Sequence, residues 1–327
     1  MDRALLTTAA LTIAVCLDTL IGDPRFLPHP VRLLGKIIEL LELIMRRIFK
    51  TEAGLKAAGL IMVLIVAVGS AVLTLYLLVS AYRLHLAAGF VFETYLFFVV
   101  LAGGDLRNHV LRVNQNLVAG DLPAARASTA MLVSRDTGML EESGLSRAAL
   151  ESLFENSADG LVAPLFFAAL GGPVAAVFFK AVSTMDSMIG YKTVIYKNLG
   201  FYAAKLDDLL NYIPARLTAC LIILAGFPRG CSGSGWQVLR EDYCNHDSPN
   251  SAWPEAAAAG VLGVRFGGTD LYHGELVNRP VINASGREAQ MEDLKKGLAL
   301  FRGTAILAFI LLLLLSYGLR SWEALPF

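Results

Sequence analysis

Hydrophobic positions gather into six long runs, Ala4 to Gly22, Leu55 to Tyr82, Leu84 to Gly104, Leu161 to Phe179, Leu209 to Phe227 and Gly303 to Leu319. A helix needs roughly 20 apolar residues to cross a bilayer. The pattern therefore predicts an all-α, polytopic integral membrane protein with about five or six apolar helices and polar helical or loop lobes between them. Arg32, Lys36, Arg46, Arg47, Lys50 and Lys56 crowd the first long connection, and such a bias places a loop in the cytoplasm. Leu55 to Tyr82 then leaves the cytoplasm and Leu84 to Gly104 returns, with a tight turn at Arg83. Residues 105–160 are thus expected to be cytoplasmic and helical, with a stop and restart at Gly120-Asp121 and Pro123 in the new first turn.

The run from Leu161 to Phe179 is interrupted by Gly171-Gly172-Pro173. Proline removes a backbone donor and glycine weakens a helix, so a re-entrant hairpin competes with a straight crossing. Residues 228–302 are polar and glycine-rich and read as a second cytoplasmic lobe. The expectation is one membrane-embedded domain over 1–327: N-terminal spans in 4–104, a helical segment at 105–160, the broken helix and fifth span in 161–227, the lobe at 228–302 and a last span at 303–319. Localisation would be the cell (inner) membrane, multi-pass, with the active site facing the cytoplasm.

Composition agrees. The 327 residues are 55% hydrophobic and 17% charged, and mean hydropathy is +0.57; soluble domains carry about 25% charged residues. Equal numbers of basic and acidic residues, 28 each, and the lack of a basic-aromatic patch give no sign of nucleic-acid binding. The four cysteines have no metal or disulfide spacing. The first apolar run lacks a basic cluster before it and a small-residue cleavage site after it, so it reads as a retained helix.

Four stretches gather reactive side chains. In "DTLIGDPRFLPHPVRLLG" (18–35), Asp23 and His29 sit on a proline-rigid turn, which serves equally well as a plain helix connection. In "SRDTGMLEESGLSRAALESLFENSADG" (134–160), Glu151, Glu155 and Asp159 fall one helical turn apart on one face, joined by Arg135, Asp136 and Asn156. Stacked like charges disfavour a helix, and carboxylates beside a membrane are costly unless compensated. A divalent cation would compensate them, and oxygen-only ligands suit magnesium bridging to phosphates. In "KAVSTMDSMIGYKTVIYKNLGFYAAKLDDLLNYIPAR" (180–216), Asp207, Asp208 and Asn211 form a further oxygen set, near Lys180, Asp186, Tyr191, Lys192 and Arg216. Arg216 lies within an apolar run and needs an anion, either Asp207 or Asp208 or a ligand. In "SPNSAWPEAAAAGVLGVRFGG" (248–268), Asn250, Glu255 and Arg265 accompany glycines that allow close backbone approach. Glu93, alone in the third run, is a candidate proton relay or a partner of His85 or Arg83. No P-loop, GxSxG or HExxH motif occurs.

Six motifs in order, "GDPRFLPHPVRLLG", "ARASTAMLVSRDT", "ESLFENSADGLVAPLFFAALGGP", "KAVSTMDSMIGYK", "DDLLNYIPAR" and "SPNSAWPEAAAAGVLGVRFGG", resemble the CobD/CbiB family of adenosylcobinamide-phosphate synthases. They run from about Asp18 to Pro280. Ser134 and Ser183 stand where that family is expected to have Gly and Asn; neither change removes a charge. The resemblance implies a ligase of cobalamin biosynthesis. It would join the free propionate of adenosylcobyric acid to aminopropanol, generally as its phosphate, using ATP and magnesium. Partners would be the corrinoid, the aminoalcohol phosphate and the bilayer, with a homo-oligomer or association with other corrinoid-pathway enzymes also expected. On this reading Glu151, Glu155, Asp159, Lys180 and Asp186 are the candidate catalytic residues. Glu155, Asp159, Asp207, Asp208 and Asn211 are candidate metal ligands. Asp23, His29, Arg135, Asp136, Asn156, Tyr191, Lys192, Arg216, Asn250, Glu255 and Arg265 are candidate substrate contacts, with Arg135, Lys192 and Arg216 meeting phosphate charge.

Two other classes compete. A magnesium-dependent membrane prenyltransferase would use "ENSADG" and "DDLLN" as paired diphosphate sites, but it leaves the 248–268 stretch without a role. A secondary transporter would use the broken helix and Glu93, but the chain shows no internal repeat and its charges concentrate outside the apolar runs.

Overall fold

The computed structural model describes residues 3–22, 30–272 and 274–323. Asp23 and His29 lie outside the described residues. The chain is almost wholly helical: α1 (Arg3–Ile21), α2 (Pro30–Ile48), α3 (Glu52–Leu84), α4 (Leu86–Val100), α5 (Gly103–Val118), α6 (Leu122–Ala130), α7 (Glu142–Ser157), α8 (Ala163–Ile189), α9 (Phe201–Leu210), α10 (Tyr212–Gly226), α11 (Ser232–Asp242), α12 (Ala252–Leu262), strands β1 (Phe266–Tyr272) and β2 (Glu275–Ile282), and α13 (Met291–Glu323). Among the described residues, five helical stretches are long and apolar enough to cross a membrane, or six if α9 and α10 form one span. This is the polytopic, helical membrane protein that the apolar runs predict. By its internal contacts the chain forms two compact units. One takes residues 1–102, 163–211 and 309–327; the other takes 103–162 and 212–308.

In the first unit, the basic connection contains the amphipathic helix α2. Ile38 and Met45 turn inward against Met62, Val66 and Met185, while Leu33, Leu40 and Leu43 stay exposed. Arg46 fastens the 190–200 segment to α2 by donating to the Ile195 carbonyl at 3.0 Å and lying over the Tyr196 ring. Gly59 of α3 meets the same segment: a Cβ there would stand 2.1 Å from the Leu199 carbonyl oxygen. Glu93, buried in α4, accepts from Thr7 at 2.9 Å and from the Tyr82 hydroxyl. The expected pairing with His85 or Arg83 is replaced by these hydroxyls, and His85 instead caps α4 by accepting from the Ala87 amide.

The interrupted run is helical on both sides of its break. Only Gly171 and Gly172 leave helical dihedrals, Gly172 at φ +65°, and α8 continues through Pro173 to Ile189. The missing donors free carbonyls one turn earlier. Arg320 of α13 supplies the replacement, donating to Ala168 and Ala169 at 3.2 and 3.1 Å.

In the second unit, Gly120 turns at φ +70° and Asp121 caps α6 through the Ala124 amide, as the stop and restart predict. The 228–302 lobe departs from an all-α reading, because β1 and β2 form an antiparallel hairpin there. Its signal was broken by glycines and Pro280. Gly267, at φ +76°, sits at an irregularity in the register, and a Cβ on it would stand 2.1 Å from the Pro280 carbonyl oxygen. The last helix also begins at Met291, well before the apolar run at Gly303. Asp293 organises that start, accepting from Arg287 at 2.6 and 2.7 Å, from the Gln290 amide at 3.0 Å and from Lys296 at 3.1 Å.

Arg320→Met should leave two carbonyls at the α8 break without their donor. An unsatisfied buried polar group costs about 1–3 kcal/mol, so the expected outcome is a lower melting temperature in detergent; an unchanged melting temperature would mean that lipid-side groups or water satisfy them.

Candidate functional site

The loop 131–141, helix α7, the hairpin and the start of α12 bring charged side chains together inside the second unit. Arg135, within that loop, is buried between Glu151, which it grips through Nη2, and Asp270, at 2.8 Å from Nη1. Arg147, one turn before Glu151 on α7, reaches Asp270 at 2.6 Å and the Gly267 carbonyl. Glu151 also accepts from the Gly267 amide at 2.7 Å. The bulge in β1 therefore turns one residue so that its amide meets a carboxylate and its carbonyl meets a guanidinium. Asp136 closes the other end of the hairpin: its amide donates to the Leu271 carbonyl and its carboxylate accepts from the Gly274 amide, both at 2.8 Å.

One turn along α7, Glu155 is half-buried and faces a second group. His246 Nε2 lies 3.9 Å from Glu155 and 3.8 Å from Glu255, and Arg279 of β2 stands 2.6 Å from the same ring nitrogen. Arg279 approaches Glu151 and Glu255 only to 3.8 and 3.9 Å. Glu255, in the first turn of α12, is 1% exposed, and its Oε1 has no hydrogen-bond partner. Burial, with Glu155 and Glu151 nearby, pushes its carboxyl well above the usual carboxylate range. Burial likewise holds the His246 imidazole below its ordinary value, with the positive Arg279 acting in the same direction. At neutral pH the cluster thus combines a neutral imidazole with a carboxyl that resists ionisation.

Asp159 lies beyond this group in a π-helical turn, Ala158–Val162. The ideal i, i+4, i+8 stripe is interrupted there, so regular spacing does not carry over from Glu155. Asn156 is exposed and folds back on the Ser152 carbonyl at 2.8 Å. Arg216 finds a neutral acceptor, Asn250 Oδ1 at 3.0 Å, and stacks on the Tyr212 and Trp253 rings at 3.5 and 4.5 Å. Asn250 is only four residues from His246. Arg265 pairs on the surface with Glu288 at 3.2 Å, an exposed contact of about 0–1 kcal/mol.

The remaining candidates belong to the first unit. Lys180 lines an apolar cavity of about 400 Å³ among Leu34, Leu73, Phe92 and Leu96. Asp186 lies near the end of α8, while Tyr191 and Lys192 are exposed just after it. Asp207 accepts from Asn211 Nδ2 at 3.0 Å, and Asp208 stands 4.0 Å from Lys205. Asn211 Oδ1 is buried without a hydrogen-bond donor. Oxygen donors of this kind suit magnesium, so Asp207, Asp208 and Asn211 fit that ion chemically.

Sequence reasoning passed over His246, Arg147, Asp270 and Arg279. The nearest signal was charge inside the hairpin, since Asp270 and Arg279 interrupt segments whose other residues read as a plain polar lobe.

The family model described as CobD/CbiB protein matches residues 11–301. The chain belongs to the CobD/CbiB family. It is similar to cobalamin biosynthesis protein CobD of Listeria monocytogenes, 40% identical over 304 residues, which span 92% of this chain and 95% of the relative. Cobalamin biosynthesis protein CbiB of Salmonella arizonae is 39% identical over 321 residues, 97% and 98% of the two chains. CobD of Geobacter metallireducens is 45% identical over 276 residues, 84% and 86%. No solved structure matches the chain at a significant level. Every member of the ion cluster falls inside the matched region, and family membership makes this chain a cobalamin biosynthesis protein.

The two shifted groups give opposite stability limbs in chelator-treated protein. His246 takes a proton more readily when unfolded, so stability should fall as pH drops below about 6.5. Glu255 takes one more readily when folded, so its contribution is full below its unfolded value of 4.5 and declines as pH rises through its folded value. Melting temperature against pH in detergent should therefore show a shallower acid limb in His246→Gln and a shallower alkaline limb in Glu255→Gln. Superimposable curves would mean that neither group titrates abnormally.

Proposed function

We propose that this member catalyses ATP-dependent amide formation between the free propionate of adenosylcobyric acid and aminopropanol, in its phosphorylated form. The observation that carries the reading is family membership across residues 11–301, and the charged cluster is chemically suited to it. An ionised carboxylate is a poor electrophile until one oxygen becomes a leaving group. Transfer of the terminal phosphoryl group of ATP to that oxygen, with ADP departing, makes it one. The amine then attacks the acyl carbon and phosphate leaves with the oxygen.

The residues of this chain have distinct tasks in that scheme. Arg135 and Arg147 are committed to Glu151 and Asp270 and hold the frame rigid. Arg279 and Arg216 make no close ion pair among the described residues, and they are the cations best able to meet anionic oxygens. Glu155, half-buried beside the neutral His246, would take the proton that the incoming ammonium must lose before it can attack. Magnesium, when bound, would neutralise phosphoryl charge.

Purified full-length protein in detergent, given ATP, magnesium, adenosylcobyric acid and aminopropanol phosphate, should release one ADP for each amide formed. ATP consumption that ignores the corrinoid, or transfer from a prenyl diphosphate without ATP, would overturn the reading. Arg216→Ala should raise KM for the phosphorylated amine about 10- to 100-fold, since a hydrogen bond to a charged group is worth about 1.5–3 kcal/mol. The free aminoalcohol should be little affected. An equal loss for both would remove Arg216 from phosphate recognition.

A further inference from the structure

Glu155 from α7, His246 from the loop after α11 and Glu255 from the start of α12 place one donor atom each within 4.8 Å of one another. Two features set this group apart from an ordinary solvated cluster. The first is Glu255: its Oε1 is buried, aimed at His246 Nε2, and accepts no hydrogen bond. A buried acceptor without a donor forfeits its hydration for nothing. The second is the imidazole. The Ser248 amide donates to Nδ1 at 3.0 Å while the Arg279 guanidinium stands 2.6 Å from Nε2. A neutral imidazole has one acceptor nitrogen, so it cannot receive both donors. The protein groups alone do not satisfy this centre.

A cation among the three donors would remove the first defect; ligation at Nε2 puts the ring proton on Nδ1, so the Ser248 amide would turn away from it. The cation would take the orphaned carboxylate oxygen and would compete with Arg279 for one ring nitrogen. Charge permits it: the carboxylates of Glu151, Glu155, Glu255 and Asp270 face the guanidiniums of Arg135, Arg147 and Arg279. The donor set selects the class of ion. Magnesium favours oxygen and keeps its waters, whereas an imidazole with two carboxylates suits a borderline divalent transition metal. Three protein ligands also leave a position open for water or an anionic oxygen.

We propose that Glu155, His246 and Glu255 form a binding site for a divalent first-row transition-metal ion of the zinc and cobalt class, distinct from the oxygen-only donors Asp207, Asp208 and Asn211. The site stands on donor geometry and does not depend on the ligase reading.

The test uses the full chain in detergent, purified on a tag free of histidine, stripped with chelator and titrated with Co²⁺ alone. Dialysis with metal analysis should find about one Co²⁺ per chain, with visible absorption that Zn²⁺ abolishes and excess Mg²⁺ leaves in place. His246→Ala and Glu255→Gln should each weaken binding by about a hundredfold or more. Glu155→Gln, at a half-buried position, gives the same reading if either of those variants fails to elute like the parent. Absence of stoichiometric Co²⁺, displacement by Mg²⁺ as easy as by Zn²⁺, or parental affinity in these variants would overturn the proposal, leaving a proton on Glu255 as the compensation. No substrate is present, so a negative result leaves amide formation untouched, and loss of ligation does not erase a measured metal stoichiometry.

Discussion

The guanidinium of Arg135, enclosed by Glu151 and Asp270, is the contact on which the second unit depends. It joins a loop and the helix that follows it to a β-hairpin far along the chain, and each of these elements would otherwise bury a charge alone. Breaking a buried pair by removing one partner typically costs 3–5 kcal/mol, because the other charge is left uncompensated. Arg147 and the amide of Gly267 complete the enclosure, so Glu151 is met by the guanidiniums of Arg135 and Arg147, with Arg279 farther off, and by a backbone donor. The glycine follows from the same constraint. Only a residue without a Cβ can turn its peptide toward Glu151 while lying against the Pro280 carbonyl.

Rigid support there leaves chemistry to the neighbours that are less completely paired. Arg279 approaches carboxylates without closing on them, His246 is held neutral by burial, and Glu255 lacks a donor. A charged group held loosely in a stiff frame can exchange a protein partner for a ligand at small cost, whereas a saturated pair such as Arg135–Glu151 cannot. The division between frame and reactive groups is therefore a division in hydrogen-bond saturation. It falls along α7 itself, with Glu151 on one side and Glu155 on the other.

The first unit solves a different problem, that of satisfying backbone at a broken helix in apolar surroundings. Water is scarce there, so carbonyls released by Gly171-Gly172-Pro173 require a protein donor, and Arg320 provides one from the last helix. Glu93 is handled in the same way, with the hydroxyls of Thr7 and Tyr82 donating to its carboxylate. Both are local remedies for polar groups that the apolar pattern alone would leave exposed to hydrocarbon.

The sequence by itself determined the helical, membrane-spanning class, because uninterrupted apolar runs near 20 residues have few other stable fates. It also determined the helix break at residues 171–173 and the stop at Gly120, since glycine and proline act through local backbone preferences. Colinear motifs determined the family. Tertiary structure alone decided which charges meet. Asp270 and Arg279 become site residues only when β1 and β2 pair across a turn at Gly274, and long-range pairing leaves no periodic trace in so short and glycine-broken a segment. The carboxylate stripe was legible as a pattern, yet its split into a saturated Glu151, a half-buried Glu155 and an Asp159 carried into a π turn depends on partners brought in by the preceding loop, the hairpin and the start of α12. Burial and hydrogen-bond saturation are properties of the assembled unit, and these, more than residue type or spacing, separate the groups that hold the frame from those free to react.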